Sequence, residues 1–168
     1  MIGPGYCRAM ACYNAWQNGQ LAGYLRELDD DEVARDRGAF FGSILGTLNH
    51  LYWGDLIWMS RFDGGPGPET PIERSARVFD GIAAWMVERD ALDQRISRWM
   101  DGLDDADLEG EFTWLSSAAR REVTVPKGVA IVHFFNHQTH HRGQAHAMLT
   151  AAGSKAPVSD IVFMPALH

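Results

Sequence analysis

Apolar residues recur at helical spacing through most of this chain. From Tyr6 to Leu28 they fall at Met10, Tyr13, Trp16, Leu21, Tyr24 and Leu28, close to a period of 3.6, which predicts a first long helix. The acidic run Asp29 to Glu32 follows, with Asp29 placed to cap one short turn through Arg35. A second long helix is expected from about Ala39 to Phe62, ended by the Gly- and Pro-rich loop Asp63 to Thr70. Thr70, Pro71 and Glu73 then carry a helix-start signal: a capping hydroxyl, a proline at the first position and a glutamate three residues after the cap. The third helix, with Phe79, Ile82, Trp85, Met86, Leu92, Ile96 and Trp99 as its apolar stripe, runs to about Met100.

The helical period is lost between Gly102 and Gly110. Phe112 to Leu115 and Glu122 to Val125 read as two short strands, and a connection from Ser116 through Ser117 and Ala118 to Arg121 makes them a hairpin. A fourth long helix follows from about Lys127 to Ala151, with Gly153 as its stop, and the apolar residues of the tail DIVFMPAL are expected to pack back onto the helices. Four long helices and one minor hairpin predict an all-α fold, a four-helix bundle with a small β-hairpin between helices three and four. Metal sites in such bundles are built from side chains facing one another in the core.

Composition narrows the function classes. The 168 residues form a single domain, 1–168, of ordinary globular composition. With 22 acids against 15 Lys and Arg the net charge is −7, which disfavours a phosphate-binding surface and hence nucleic acid as a partner. Phe40 to Met59 is apolar enough to test as a membrane span, but Asn49, His50 and Asp55 near its centre would be costly in lipid, so no membrane role is expected. Cys7 and Cys12 are five residues apart on one helix and read as reduced thiols. With no secretory signal pattern, a cytoplasmic location is expected.

The candidate chemistry lies in the histidines. Six of the seven are at His50 or within HFFNHQTHHRGQAH, residues 133 to 146. On a helix His137 and His141 are one turn apart, ~40° around the axis, with His133 a further turn back and Gln144 near the same line. Two imidazoles at i and i+4 can present nitrogens to one metal ion, and they can equally be a polar helix face. A catalytic zinc usually takes three protein ligands and keeps one position open. His50, in the second helix, is the one histidine outside the tail that is not on the fourth. If those two helices are neighbours, His50, His137 and His141 complete a three-histidine site.

Other residues carry weaker signals. Gly42, Gly46 and Gly54 stand at multiples of four from His50, which suggests either close helix packing or a slot beside the histidine. His133 reads as a packed, hydrogen-bonded core histidine, His140 as a surface residue, and His146 and His168 as solvated. Gln144 could bond a ligand histidine or a nearby backbone group, Arg142 is expected to pair with an acid on another element, and Asp55 lies off the His50 face.

The segments LGTLNHLYWGDLIWMSRF and FFNHQTHHRGQAHAML together resemble the DinB/YfiT-like family of damage-inducible metalloenzymes, in the NH of helix two, the H-x-x-x-H of helix four and the HRGQ after it. The resemblance extends over nearly the whole chain; the DNA polymerase that shares the name is unrelated. It implies an up-down-down-up four-helix bundle and a divalent metal, zinc or nickel and in some cases iron, held by His50, His137 and His141. It further implies a stress-response metalloenzyme that activates a low-molecular-weight thiol for transfer or isomerisation. The alternatives are a hydrolase using metal-activated water, or a non-enzymatic metal-binding bundle. The substrate is expected to be a small molecule, the assembly a homodimer, and the catalytic residues beyond the ligands are left unassigned.

Overall fold

The computed structural model describes residues 1–116, 119–155 and 157–165. It is mostly helical, with one two-stranded antiparallel sheet. The α-helices are α1 (Pro4–Leu25), the short α2 (Asp30–Ala34), α3 (Ile44–Asp63), α4 (Ile82–Asp101) and α5 (Lys127–Ala151). The strands β1 (Glu111–Ser116) and β2 (Arg121–Pro126) precede α5.

Local chemistry explains most of the boundaries. Pro4 opens α1 at a position whose N–H would have no intrahelical partner. Asp29 caps α2 by accepting from the Glu32 N–H at 2.7 Å, as its sequence position predicts. Gly64, at φ 72°, closes α3, and its N–H reaches the Ser60 carbonyl. Gly153, at φ 81°, follows the end of α5. In the hairpin Trp114 faces Val123 and Phe112 faces Val125. The expected turn residues Ser117 and Ala118 lie outside the described residues, as do Ala156, Ala166, Leu167 and His168.

Two boundaries differ from expectation. α3 begins at Ile44, not Ala39, because an isolated bridge between Ala39 and Gly42, with Gly42 at φ 76°, turns the chain there. Ser43 then caps the helix, its Oγ accepting from the Gly46 N–H at 2.9 Å. Gly42 is thus a turn residue and not part of a helical glycine stripe. The expected third helix is split. Ile72–Arg77 forms a 3-10 segment, its Pro71 cap makes no side-chain hydrogen bond, and α4 starts at Ile82. The cause is Asn49 of α3. Its amide donates to the carbonyls of Ala76 (3.2 Å) and Phe79 (2.9 Å) and accepts from the Phe79 N–H (3.3 Å), occupying backbone groups that a continuous helix would pair internally.

α3 packs on α5, and α1 packs chiefly on α4. Side chains such as Leu48, Trp85, Ile96, Phe134 and Leu149 fill the core between them. A polar clamp crosses this core. Arg89 of α4 donates to Asp55 of α3 (2.6 Å) and to Asp93 one turn on (2.7 Å), and Asp93 accepts from Asn14 and Asn18 of α1 at 3.0 Å. Arg142 of α5 donates to the side-chain Oδ1 of Asn14, so its partner is an amide and not the acid expected. Burial drives the Asp55 carboxyl up to about 6 even though Arg89 pulls it down. Removing Arg89 would leave two buried carboxylates without their cation, a loss on the order of 3–5 kcal/mol.

Two further expectations are resolved here. Cys7 and Cys12 are free thiols, one buried and one exposed. No helix among the described residues is long and apolar enough to cross a membrane. The tail differs from its reading. It is fastened by polar bonds, with Tyr13 donating to the Ser159 carbonyl (2.6 Å) and Gln17 to that of Val158 (2.9 Å), and Met164 is buried. Val162 and Phe163, however, remain exposed.

Candidate metal centre

The packing of α3 on α5 sets His50 opposite His137 and His141. Ring centroids are 4.8 Å apart for His50 and His141, 5.4 Å for His50 and His137, and 4.4 Å for the pair on α5. One nitrogen from each ring lies within 4.8 Å of the others, and the Nε2 atoms of His137 and His141 are 3.1 Å apart. Three nitrogens on a tetrahedral zinc at ~2.05 Å are ~3.3 Å from one another, close to the His137–His141 separation, so the trio could hold a metal ion once the wider separations close by up to ~1.5 Å. No carboxylate or thiol joins the cluster among the described residues.

The surroundings suit that role. A Cβ on Gly54 would stand 2.6 Å from Cε1 of His137, so the slot that the glycines suggest is the berth of the His137 ring itself. Gly46 serves another purpose, since a Cβ there would meet the Phe41 carbonyl oxygen at 2.2 Å. Gln144 lies with Oε1 2.8 Å from Nδ1 of His141, so Nδ1–H donates and Nε2 keeps its lone pair for the centre. Nδ1 of His50 is 2.8 Å from Ser75 Oγ, leaving its Nε2 free. Nδ1 of His137 is buried without a hydrogen-bond partner among the described residues. Phe41 stacks on His50 at 3.9 Å and meets His141 edge-on at 5.4 Å, covering the centre on one side.

Electrostatics keep the rings neutral, the state a metal ligand needs. Burial, with His141 as a second cause, lowers His50 to about 4. Burial and the neighbouring imidazoles take His137 to about 3. His141 is also lowered by burial, against the pull of its bond to Gln144.

The remaining histidines are sorted by position. His140 is exposed, as expected, and its Nε2 is 3.2 Å from Gln144 Nε2. His133 is not the hydrogen-bonded core residue expected; it is exposed on the wall of a cavity, beside the Trp58 ring at 5.1 Å. His146 is half-buried rather than solvated, because the returning tail places the Pro157 carbonyl 3.1 Å from its Nε2. Asp55 stays off the centre, in the core clamp.

That cavity, of about 710 Å³, opens in front of His50 and His137. Its walls come from α3, from β1 with Trp114, and from the segment before the 3-10 turn, which is tied down where Trp53 Nε1 donates to the Thr70 carbonyl at 2.7 Å. Sequence reasoning missed Phe41, Ser75 and the cavity residue Arg61. Only Arg61 left a signal, at eleven residues from His50 on the same helix face.

Residues 1–167 match the model of the DinB family. The chain is 26% identical to "Protein DinB" of Bacillus subtilis (strain 168) over 149 residues, covering 88% of this chain and 87% of that protein. A crystal structure of a DinB-like protein from Bacillus cereus ATCC 10987 superposes with a TM-score of 0.65 at 16% identity, covering 85% of this chain and 90% of the other, and so shares the fold. With a match that spans almost its entire length, the chain belongs to the DinB family.

Proposed function

We propose that this chain is a divalent-metal-dependent enzyme of the DinB family, an up-down-down-up four-helix bundle in which His50, His137 and His141 hold the ion. The observation that carries the reading is the convergence of three neutral imidazoles, with no carboxylate among them, two of which, His50 and His137, line an open cavity. A divalent ion held by three uncharged ligands keeps its full charge and would supply a Lewis-acidic position that lowers the pKa of a thiol or water bound there. Gln144 and Ser75 orient two of the rings, and Phe41 keeps water from one side of the centre. The cavity on the other side has room for a small molecule. A low-molecular-weight thiol is the substrate class we favour, with transfer or isomerisation as the reaction. Zinc or nickel is the ion best matched to an all-imidazole set.

The reading is tested by elemental analysis of the purified, untagged protein beside the variant in which His50, His137 and His141 are all alanine. About one metal per chain, lost in the variant while the helical signal persists, is the expected result. No metal in the native protein, even after incubation with zinc and nickel, would refute it.

A further inference from the structure

The cavity in front of the histidines contains a cation, Arg61, that makes no ion pair among the described residues. His50, Gly54, Ile57 and Arg61 follow one another along one face of α3, and all four line the cavity. The guanidinium carbon of Arg61 lies 4.9 Å from the ring centroid of Trp58 and 5.8 Å from that of Trp114. Besides these cation–π contacts its charge acts on the neighbouring His133, and no carboxylate among the described residues pairs with it. Among the other enclosed arginines, Arg89 has Asp55 and Asp93, Arg95 has Asp63 and Arg37 has Glu32, while Arg142, also without an ion pair, is held by the side-chain amide oxygen of Asn14. Burial accordingly lowers the pKa of Arg61 with no acid to offset it.

Indole faces accept no hydrogen bond from the guanidinium edge, and that N–H edge matches a two-oxygen anion. Cation–π contact stabilises the charge but leaves those donors unsatisfied. We propose that Arg61 anchors an anionic group of the substrate, a carboxylate or a phosphate, whose body lies against Trp58 and Trp114 while its other end reaches the three-histidine centre. This rests on the reading of that centre as the reactive site. Arg61 leans back over Trp58, eight residues beyond His50, so anchor and centre stand roughly 12 Å apart along the helix. The substrate is therefore a short, flexible anion about as long as three or four extended residues. Glu69 and Glu73 also line the cavity and repel an anionic group placed beside them, which leaves Arg61 as its anchor.

The test uses 4-phenylbutyrate, phenyl phosphate and the neutral 4-phenylbutyramide as probes, titrated by calorimetry and indole fluorescence. Each is added to the protein as purified, to the protein stripped by a chelator, and to the triple histidine-to-alanine variant. In all three forms one of the anions is expected to bind at least tenfold more tightly than the amide, and which one does so tells carboxylate from phosphate. Arg61→Gln abolishes that preference without changing amide binding, and Arg61→Lys restores part of it, with circular dichroism confirming the fold of each. Failure of both anions to bind, equal binding of anion and amide, or an unchanged preference in Arg61→Gln would overturn the proposal. Because the preference is expected with or without a bound ion, an Arg61-dependent preference in a protein whose native form takes up no zinc or nickel would sink the metal reading alone. Metal binding with no such preference would sink only the anchor.

Discussion

Alanine at Gly54 should separate the stability of α3 from the integrity of the metal centre. The added Cβ would stand 2.6 Å from Cε1, 3.3 Å from Nδ1 and 3.6 Å from Nε2 of His137. Ordinary carbon contacts lie at ~3.5–4.0 Å, so the ring must retreat by roughly 1 Å. Metal–ligand distances tolerate only about 0.2 Å, which makes that retreat several times too large for His137 to stay a ligand. Stability responds differently. Alanine in a helix interior gains about 1 kcal/mol over glycine, and overpacking costs about 1–3 kcal/mol when the neighbour cannot move. Here the neighbour can move, since His137 borders the open cavity. The metal-free variant is therefore expected within ~1 kcal/mol of the native protein, while zinc affinity falls by about 10–100-fold or more. Urea unfolding of the stripped protein, followed by circular dichroism, measures the first quantity. Competition with a chromophoric zinc chelator measures the second. Gly23→Ala on the exposed face of α1, where a Cβ meets nothing within 4 Å, is the control and should gain about 1 kcal/mol with zinc affinity unchanged. Native zinc affinity in Gly54→Ala would refute the argument that this glycine exists to seat His137.

Two other outcomes follow from the same geometry. Ser75→Ala removes the partner of His50 Nδ1 and should weaken zinc binding by roughly tenfold with little change in the helical signal, as read by the same chelator competition; a native affinity would show that Ser75 does not orient the ring. The metal-free protein should lose stability as pH falls, because His50 and His137 titrate near 4 and 3 when folded but near 6.5 when unfolded, so the unfolded chain takes up protons first. That contribution is whole above about pH 6.5 and declines as pH drops through 4 toward 3; urea midpoints from pH 7.5 to 4.5 should fall more steeply in the native protein than in His50→Ala/His137→Ala, and parallel slopes would contradict it.

Local patterns in the sequence carried a good part of the picture. The limits of α5, the two strands and the Asp29 cap follow from periodicity and from side chains within four residues of the groups they satisfy. The one-turn spacing of His137 and His141 is equally local, because 100° and 1.5 Å per residue bring i and i+4 to one face wherever the helix lies. The partnership with His50 is of another kind. It needs α3 against α5, which the sequence allowed only as a supposition and which the shared core secures.

The misreadings have the same origin. Thr70, Pro71 and Glu73 look like a helix start, yet hydrogen bonds from Asn49, some thirty residues away, hold the segment as a 3-10 turn and thereby bring Ser75 to His50. His133 shares the column of His137 and His141 but faces the cavity, because that end of α5 borders the opening beside Trp58. Phe41 reads as the first turn of a helix until Gly42 reverses the chain and lays the ring over His50. By itself the sequence determined which residues could serve as ligands and the helices that carry them, since those depend on torsions and contacts within a turn or two of the chain. Only the tertiary structure decided which rings meet, what orients and covers them, and that Arg61 has no paired acid among the described residues, since those depend on long-range packing and hydrogen bonds that no local period encodes.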